Sequence, residues 1–226
     1  MQHWLVGFSL VILAGGMSAC ADGTSWKEEV LLHDGSRIVV ERSQTYGGRH
    51  EVGQKPPIKE QEITFTLPGS NHSITWKTEY GEDIGRANLN LLALHVLDGT
   101  PYIVAEPNLC LAYNKWGRPN PPYVFFKYDG KAWKRIPLSE FPRQFESINV
   151  LVNTLGEAGT LASTKVISAN TVREFNSQLW RYPGEQLQYK TILREPLAAS
   201  QLCPPELTGF KAPFPVTPKG GPENKK

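Results

Sequence analysis

An Asp-Gly dipeptide between two runs of β-forming residues occurs three times in this chain of 226 residues. The three segments read EVLLHDGSRIVVE, LALHVLDGTPYIVAE and VFFKYDGKAWKRI. Asp-Gly favours a tight hairpin, because a type I′ turn needs a positive φ angle at both of its central residues. The pattern therefore predicts three antiparallel hairpins with Asp-Gly at their turns.

A fourth hairpin is predicted around the sequence PGSNH, where apolar and polar residues alternate on both sides. The apolar members are Ile63, Phe65 and Leu67 before the turn and Ile74 and Trp76 after it. Period-two alternation gives a strand one buried face and one solvated face. Eight strands between residues 26 and 138 predict a mainly β fold of the α+β class, an antiparallel hairpin-rich sandwich or open barrel.

Two short helices are predicted after the strands, at apolar residues with helical spacing. The first set follows Ser139 as N-cap and comprises Phe141, Phe145, Ile148 and Val152. The second follows Ser168 or Asn170, comprises Val172, Phe175, Leu179 and Tyr182, and stops at Pro183 and Gly184. Two amphipathic helices of this length would cover one face of a sheet, with a loop between them.

The N-terminus carries an export signal. Residues 1–21 contain no Asp, Glu, Lys or Arg, and the apolar run from Leu5 to Ala14 is typical of a secretory signal peptide. The sequence MSAC, ending at Cys20, resembles the lipobox of bacterial lipoproteins, whose cysteine is diacylated and becomes the N-terminus. The resemblance implies a signal peptide over 1–19 and a palmitate-bearing tether over 20–25.

The same resemblance implies a location in the bacterial cell envelope, lipid-anchored and facing the periplasm. Ala21, which stands where an inner-membrane protein of this family would carry Asp, favours the outer membrane. A second interpretation uses Ala19, Cys20 and Ala21 as an ordinary cleavage site, releasing a soluble periplasmic or secreted protein that begins at Asp22. The lipid at Cys20 makes the membrane a predicted partner. A net charge of +2, spread along the chain, gives no footprint for nucleic acid and indicates no partner by itself.

Cys110 and Cys203 remain as an even pair once Cys20 carries a lipid. In an oxidising compartment a disulfide between them is expected, and the alternative is two buried thiols. The bond would tie the C-terminal part of the chain to the β region. Residues 26–203 are predicted to be one β-rich domain, and residues 204–226, with six prolines, a disordered tail.

The stretch YNKWGRPNPPYVFFKY is the predicted binding loop. Tyr113, Trp116 and Tyr123 flank a proline-stiffened segment that carries Arg118. Rigid aromatic rings beside polar groups suit sugar stacking or a peptide contact, so an envelope protein, peptide or glycan is the predicted partner. In the alternative interpretation Trp116 packs over the edge of the core and the loop binds nothing.

Motifs of serine hydrolases, β-lactamases, zincins, P-loop proteins and dinucleotide-binding proteins do not occur in the sequence. Glu79, Glu82 and Asp83 cluster in TEYGEDIG, and paired carboxylates suit glycoside hydrolysis or Ca²⁺ binding. The leading hypothesis is therefore a non-enzymatic binding module, and the alternative is an envelope-polymer hydrolase that uses this acidic site.

No cofactor and no metal are predicted. The four histidines beyond the signal are scattered, and such residues are interpreted as surface side chains rather than as metal ligands. They are His33, His50, His72 and His95.

The body of the chain also resembles bacterial lipoproteins of unknown function. The resemblance lies in the Trp-Lys start, the Asp-Gly hairpins and the sequence LAYNKWGRPNPPYV, and it covers most of the chain. It implies no particular activity.

Overall fold

The computed structural model describes residues 23–152, 161, 165–179 and 187–204. Several predicted features lie outside the described residues: the predicted signal peptide, Cys20, the loop predicted between the two helices, Tyr182 with the following Pro-Gly, and the tail from residue 205. Strand β1 begins at Gly23, so residues 23–25, predicted as tether, belong to the sheet.

Ten strands form the framework of the described chain. They are β1 (Gly23–Leu31), β2 (Arg37–Tyr46), β3 (Ile58–Thr66), β4 (Ser73–Thr78), β5 (Tyr80–Gly81), β6 (Arg86–Ala87), β7 (Leu89–Leu97), β8 (Thr100–Pro107), β9 (Val124–Tyr128) and β10 (Trp133–Ile136). The α-helices are α1 (Leu109–Lys115) and α2 (Ala169–Ser177), and short 3-10 turns cover Leu138–Glu140, Leu187–Tyr189 and Ala199–Gln201.

The strands form two antiparallel four-stranded meanders and one small hairpin. Sheet 1 has the order β1-β2-β3-β4, sheet 2 has the order β10-β9-β8-β7, and β5 pairs with β6. Neither large sheet closes on itself. The predicted mainly β, hairpin-rich α+β fold is therefore confirmed, in its sandwich form.

The main core lies between the two sheets, where the alternating apolar residues of sheet 1 meet those of sheet 2. It includes Val30, Val40, Ile63, Phe65 and Trp76 from sheet 1 and Leu91, Leu94, Ile103, Ala105 and Val124 from sheet 2. The outward residues of sheet 1 are mostly polar and exposed, as period-two alternation requires.

Sheet 2 is covered on its second face as well. A second core cluster joins Leu92, Tyr102, Val104 and Phe125 to Phe141, Phe145, Ile148, Val152, Tyr189 and Ile192. Because both faces are buried, β7 is continuously buried from Leu89 to His95, and its sequence is an almost unbroken apolar run.

All four predicted hairpins are confirmed, but the tight turn type occurs at only one Asp-Gly. Asp98 and Gly99 join β7 to β8 with φ angles of 49° and 72°, as a type I′ turn requires. The other two turns are longer. In the β9–β10 turn the Asp129 carboxylate accepts the N–H groups of Lys131 and Ala132, at 2.9 and 2.8 Å.

The predicted helix over 141–152 is wrong, although all four of its apolar residues are buried. The chain there is irregular and follows the edge of sheet 2. Asn149 explains why, since its side chain accepts the N–H of Leu94 at 3.0 Å and donates to the carbonyl of Leu94 at 2.7 Å. These bonds replace the ladder partner that the edge strand β7 lacks at this point.

The second predicted helix is confirmed as α2, with Ser168 as its N-cap. The Ser168 hydroxyl accepts the N–H of Thr171 at 3.1 Å, which satisfies one of the free donors of the first turn. The other α-helix whose bounds lie within the described residues is α1, which lies inside the predicted binding loop. Within the described residues, no helix combines the length and the apolar character needed to cross a bilayer.

The connections sort to opposite ends of the sandwich. The four hairpin turns at 32–36, 67–72, 98–99 and 129–132 follow β1, β3, β7 and β9, which run in the same direction, and they form what we call the turn end. The loop 47–57, the β5–β6 hairpin and α1 lie at the other end, which we call the helix end. Gly23, the first residue of β1, is also at the helix end.

Candidate functional site

The aromatic residues of the predicted binding loop point mainly inward. Tyr113 and Tyr123 are 4% and 2% exposed. The Tyr123 hydroxyl lies 3.2 Å from the carbonyl oxygens of both Gln188 and Thr191, and burial raises its pKa well above the ordinary value. Tyr123 is thus a hydrogen-bonding residue of the interior and offers no open stacking face.

Arg118 and Asn120 hold the C-terminal segment of the described chain. The Arg118 guanidinium lies over the Tyr113 ring at 4.9 Å and donates to the carbonyls of Cys203 and Pro204. The Asn120 side chain donates to the carbonyl of Leu197 at 2.9 Å and accepts its N–H at 2.7 Å.

The predicted disulfide between Cys110 and Cys203 is confirmed. Together with Arg118, Asn120 and Tyr123 it forms what we call the C-terminal clamp, which fastens residues 187–204 to the chain between 110 and 123. Three of the four residues predicted to bind a partner, Tyr113, Arg118 and Tyr123, therefore have partners within the molecule. The aromatic and polar residues that predicted a binding loop are therefore explained by the contacts of the clamp.

Trp116 is half-buried at the edge of the core. Its ring meets Phe126 edge to face at 6.2 Å and lies under the Arg135 guanidinium at 5.5 Å. Arg135 also donates to the Trp116 carbonyl at 3.2 Å. The alternative interpretation, in which Trp116 packs over the edge of the core, describes this position.

The acidic residues Glu79, Glu82 and Asp83 are exposed at the β5–β6 hairpin. The Asp83 carboxylate lies 3.0 Å from the Lys115 ammonium, and the hydrogen bond from Lys115 lowers the pKa of Asp83. A general acid for glycoside hydrolysis needs a raised carboxyl pKa, and Asp83 has the opposite. The ion pair joins the acidic hairpin to α1, so the structure brings the two sequence-predicted sites side by side at the helix end.

The interpretation of the histidines as surface residues is wrong for His95, which is completely buried on β7. Its Nε2 donates to the carbonyl of Ser147 at 2.9 Å, and its ring stacks on Phe145 at 4.6 Å. Burial lowers the pKa of His95 to about 4, so the imidazole is neutral at ordinary pH. His33, His50 and His72 are exposed, and the described residues contain no cluster of His, Cys, Asp and Glu suited to a metal.

The largest open groove described lies at the turn end, with a volume of about 830 Å³. Three of the four hairpin turns form its walls, one from sheet 1 and two from sheet 2. Its lining residues are Leu67, Ser70, His72, Ser73, Ile74, Gly99, Thr100, Pro101, Lys127, Tyr128, Asp129 and Gly130. The groove therefore spans the opening between the two sheets.

The groove presents a carboxylate and an imidazole beside hydroxyl groups and an aromatic ring. His72 supplies the imidazole, and Asp129 supplies a carboxylate whose pKa is lowered by the backbone N–H groups of Ala132 and Lys131. Lys127 lies on the rim, with its ammonium over the Tyr102 ring at 5.9 Å on the other face of sheet 2. The Tyr128 ring packs against Trp133 at 5.3 Å, which fixes its orientation. Such a lining suits a polar, extended ligand such as a peptide or a glycan strand.

No sequence motif marked this groove, because its residues come from three turns that are distant along the chain. The available signal was the order of the hairpins. In an antiparallel meander alternate turns fall at the same end of a sheet, so the Asp-Gly turns at 98–99 and 129–130 had to be neighbours.

The fold and the groove define a class of protein, a disulfide-closed β-sandwich with a polar groove between its hairpin turns. Comparisons with protein-family models, with curated proteins and with solved structures found no match to the chain. The role of the groove is accordingly argued from its chemistry and its position.

Proposed function

We propose that the protein is a bacterial cell-envelope lipoprotein and a non-enzymatic binding module. Cys20, diacylated on its sulfur and made the N-terminus by removal of the signal peptide, anchors it in the outer membrane on the periplasmic side. The groove at the turn end captures a peptide or glycan strand of the envelope.

The disulfide supports the proposed location in the periplasm. A bond between Cys110 and Cys203 persists in an oxidising environment such as the periplasm, whereas cytosolic proteins keep their thiols reduced. The apolar run from Leu5 to Ala14 and the lipobox-like sequence ending at Cys20 point to the same side of the membrane.

The observation that carries the proposal is that the groove and the start of β1 lie at opposite ends of the sandwich. Gly23 follows Cys20 by only three residues, so a lipid at Cys20 would hold the helix end close to the membrane. The length of β1 separates the two ends by roughly 30 Å, at about 3.3 Å per strand residue. The groove would then open away from the membrane, toward the periplasm.

The chemistry of the groove favours binding over hydrolysis. Its carboxylate, Asp129, is occupied by two backbone N–H groups and has a lowered pKa, so it is poorly suited to donate a proton at neutral pH. His72 and the serine hydroxyls instead offer hydrogen-bonding groups along an open surface, as a groove for a polar chain requires.

The test is a binding measurement on the lipidated protein with peptidoglycan fragments, glycan strands and envelope peptides. His72→Ala is expected to weaken capture at least tenfold without changing the melting temperature, because the exposed His72 imidazole lines the groove. His50→Ala is the matched control, because His50 is also exposed but lies outside the groove lining, in the loop 47–57. Equal effects of the two substitutions, or no binding to any of these probes, would contradict the proposal that the groove is the binding site.

Trp116→Ala in the same assay tests the aromatic loop as the contact. Unchanged capture is expected, since Trp116 packs against Phe126 and Arg135 within the molecule. Loss of capture without a lower melting temperature would show that the ligand contacts the aromatic loop.

A further inference from the structure

Large apolar side chains are exposed at few described positions, and most of these positions lie at the helix end. The five are Val39, Val52, Leu109, Leu111 and Val166. Val52 is fully exposed in the loop 47–57, and Leu109 and Leu111 on α1 are 52% and 54% exposed. Scattered single apolar residues are normal on a protein surface, but three at one end call for an explanation.

The three residues lie on elements that are linked to one another. The N–H of Arg49 donates to the carbonyl of Gly85 at 2.9 Å, which joins the loop 47–57 to the β5–β6 hairpin. Asp83 and Lys115 then join that hairpin to α1 at 3.0 Å. Val52 and the two leucines are therefore held on connected supports and do not lie on separate mobile loops.

The backbone around α1 keeps its leucines outside. Leu109 has a φ angle of 64°, a left-handed conformation that is costly for a leucine. Such a conformation persists only where the surroundings determine it, and here the disulfide at Cys110 and the buried Tyr113 fix the short helix on the body. The exposure of Leu109 and Leu111 is thus built into the fold.

We infer that the helix end docks on the surface of the bilayer, with Val52, Leu109 and Leu111 entering the interfacial region. This inference rests on the proposed lipidation of Cys20, and it names the contact that the anchored domain makes with its own membrane. The occupant is argued from position, because β1 begins at Gly23 at the same end, three residues from Cys20. A lipid there confines this end to the membrane surface.

The charges around Val52 are compatible with a membrane that contains anionic lipid. Arg49, Lys55 and Lys59 are exposed cations in or next to the loop 47–57, and Glu51 is the acidic residue within that loop. Cationic side chains near a membrane surface are attracted to anionic headgroups, while apolar side chains enter the boundary of the acyl region. At the hairpin, the Asp83 carboxylate is paired with Lys115, whereas Glu79 and Glu82 are exposed, so the charge that favours anionic lipid lies in the loop 47–57 and not in the hairpin.

The test is amide hydrogen exchange on the lipidated protein, in vesicles of phosphatidylethanolamine and phosphatidylglycerol and in detergent micelles. Exchange over 47–57 and 109–117 is expected to slow severalfold in vesicles, with no change at the turns 67–72 and 129–132. Leu109→Asn/Leu111→Glu should abolish the slowing, and Asn is chosen because it tolerates a positive φ angle. Val39→Glu, at an equally exposed valine on sheet 1, is the matched control and should keep the slowing.

The outcomes separate this inference from the proposed function. An intact mass without the diacylglyceryl group on Cys20 would overturn both. A lipidated mass with equal exchange of the helix end in vesicles and micelles would overturn the docking alone. The docking would also be overturned if exchange is slow in both media and becomes fast when the chain is truncated after Pro204. The C-terminal tail would then be the segment that covers this surface.

Discussion

Glu28 and Arg42 form an ion pair that is completely buried beneath sheet 1. The Arg42 Nη1 lies 2.9 Å from the Glu28 Oε1, and both side chains are shielded from solvent. The same carboxylate accepts the indole N–H of Trp26 at 2.6 Å and the N–H of Leu151 at 3.1 Å. The pair therefore ties β1 and β2 to the chain segment that covers them.

Arg42→Met is expected to lower the free energy of unfolding by about 3–5 kcal/mol, because it leaves the Glu28 charge buried without its partner. Glu28→Gln/Arg42→Met should recover part of that loss, since no charge remains buried and the Gln oxygen still accepts the N–H of Leu151. Urea unfolding followed by circular dichroism measures both.

The matched control for this pair is on the opposite face of the same two strands. Lys27 and Glu41 are cross-strand partners at 2.9 Å and are both exposed. An exposed pair contributes about 0–1 kcal/mol, so Lys27→Met should change stability little. Similar losses of unfolding free energy for Arg42→Met and Lys27→Met would contradict the expectation that burial makes the Glu28–Arg42 pair costly to break.

Stability is expected to fall in mild acid because of His95. Its pKa is about 4 in the folded protein and about 6.5 when unfolded, so between these values the unfolded state binds more protons. The contribution of His95 to the free energy of unfolding is fully present above pH 6.5, declines as the pH falls, and is lost below about pH 4. The loss amounts to roughly 3 kcal/mol, at 1.36 kcal/mol per pH unit.

Unfolding free energies measured from pH 7.5 to pH 4 check this expectation. His95→Gln keeps a side-chain donor for the Ser147 carbonyl and should flatten the dependence. His72→Gln, at an exposed position, should leave the dependence as it is in the native protein. A His95→Gln profile parallel to the native one would show that other groups dominate.

Gly48→Ala is expected to separate the loop 47–57 from the β5–β6 hairpin. A Cβ atom at Gly48 would lie 2.2 Å from the carbonyl oxygen of Gly85, a distance that backbone atoms cannot accommodate without moving. Gly53→Ala is a matched control in the same loop, because Gly53 also has a positive φ angle but nothing within 4 Å of the added Cβ.

Both substitutions incur the backbone cost of about 1–2 kcal/mol for a positive φ angle, and only Gly48→Ala adds the clash. Differential scanning calorimetry should therefore give a lower melting temperature for Gly48→Ala than for Gly53→Ala. Equal melting temperatures would mean that the loop and the hairpin are not held together as described.

Tyr123→Phe is expected to loosen the C-terminal clamp. The change leaves the carbonyls of Gln188 and Thr191 without the buried hydroxyl, which should cost about 1–3 kcal/mol. Hydrogen exchange should accelerate over residues 187–193. Tyr46→Phe is the control, since its half-buried hydroxyl bonds within its own strand to Gln44, and unchanged exchange in both variants would disprove the clamp.

The hairpins could be predicted because their signals are local. Alternation around Ile63 and Trp76 and the Asp-Gly turns depend on neighbouring residues, and each produced the expected strands. The predicted helix over 141–152 is wrong because Phe141 and Phe145 are buried by an irregular segment that follows the edge of sheet 2 and is held there by Asn149. That arrangement depends on tertiary contacts with β7 that spacing along the chain does not reveal.

The functional residues also divide into those that local sequence signals predict and those that depend on tertiary contacts. Cys110 and Cys203 could be paired by counting, whereas the roles of Arg118 and Tyr123 depend on where residues 187–204 return to the body. The groove at the turn end was not predicted, because Lys127 and His72 come from different sheets.

The gathering of the turns at one end has a consequence for how such a protein can diversify. The strand register is set largely by buried side chains well below the turns. Substitutions and insertions at the longer turns 67–72 and 129–132 can therefore accumulate while the sandwich persists, whereas the two-residue turn at 98–99 needs residues that tolerate a positive φ angle. The same scaffold can in this way acquire new ligand preferences in descendants without having to evolve a new structure.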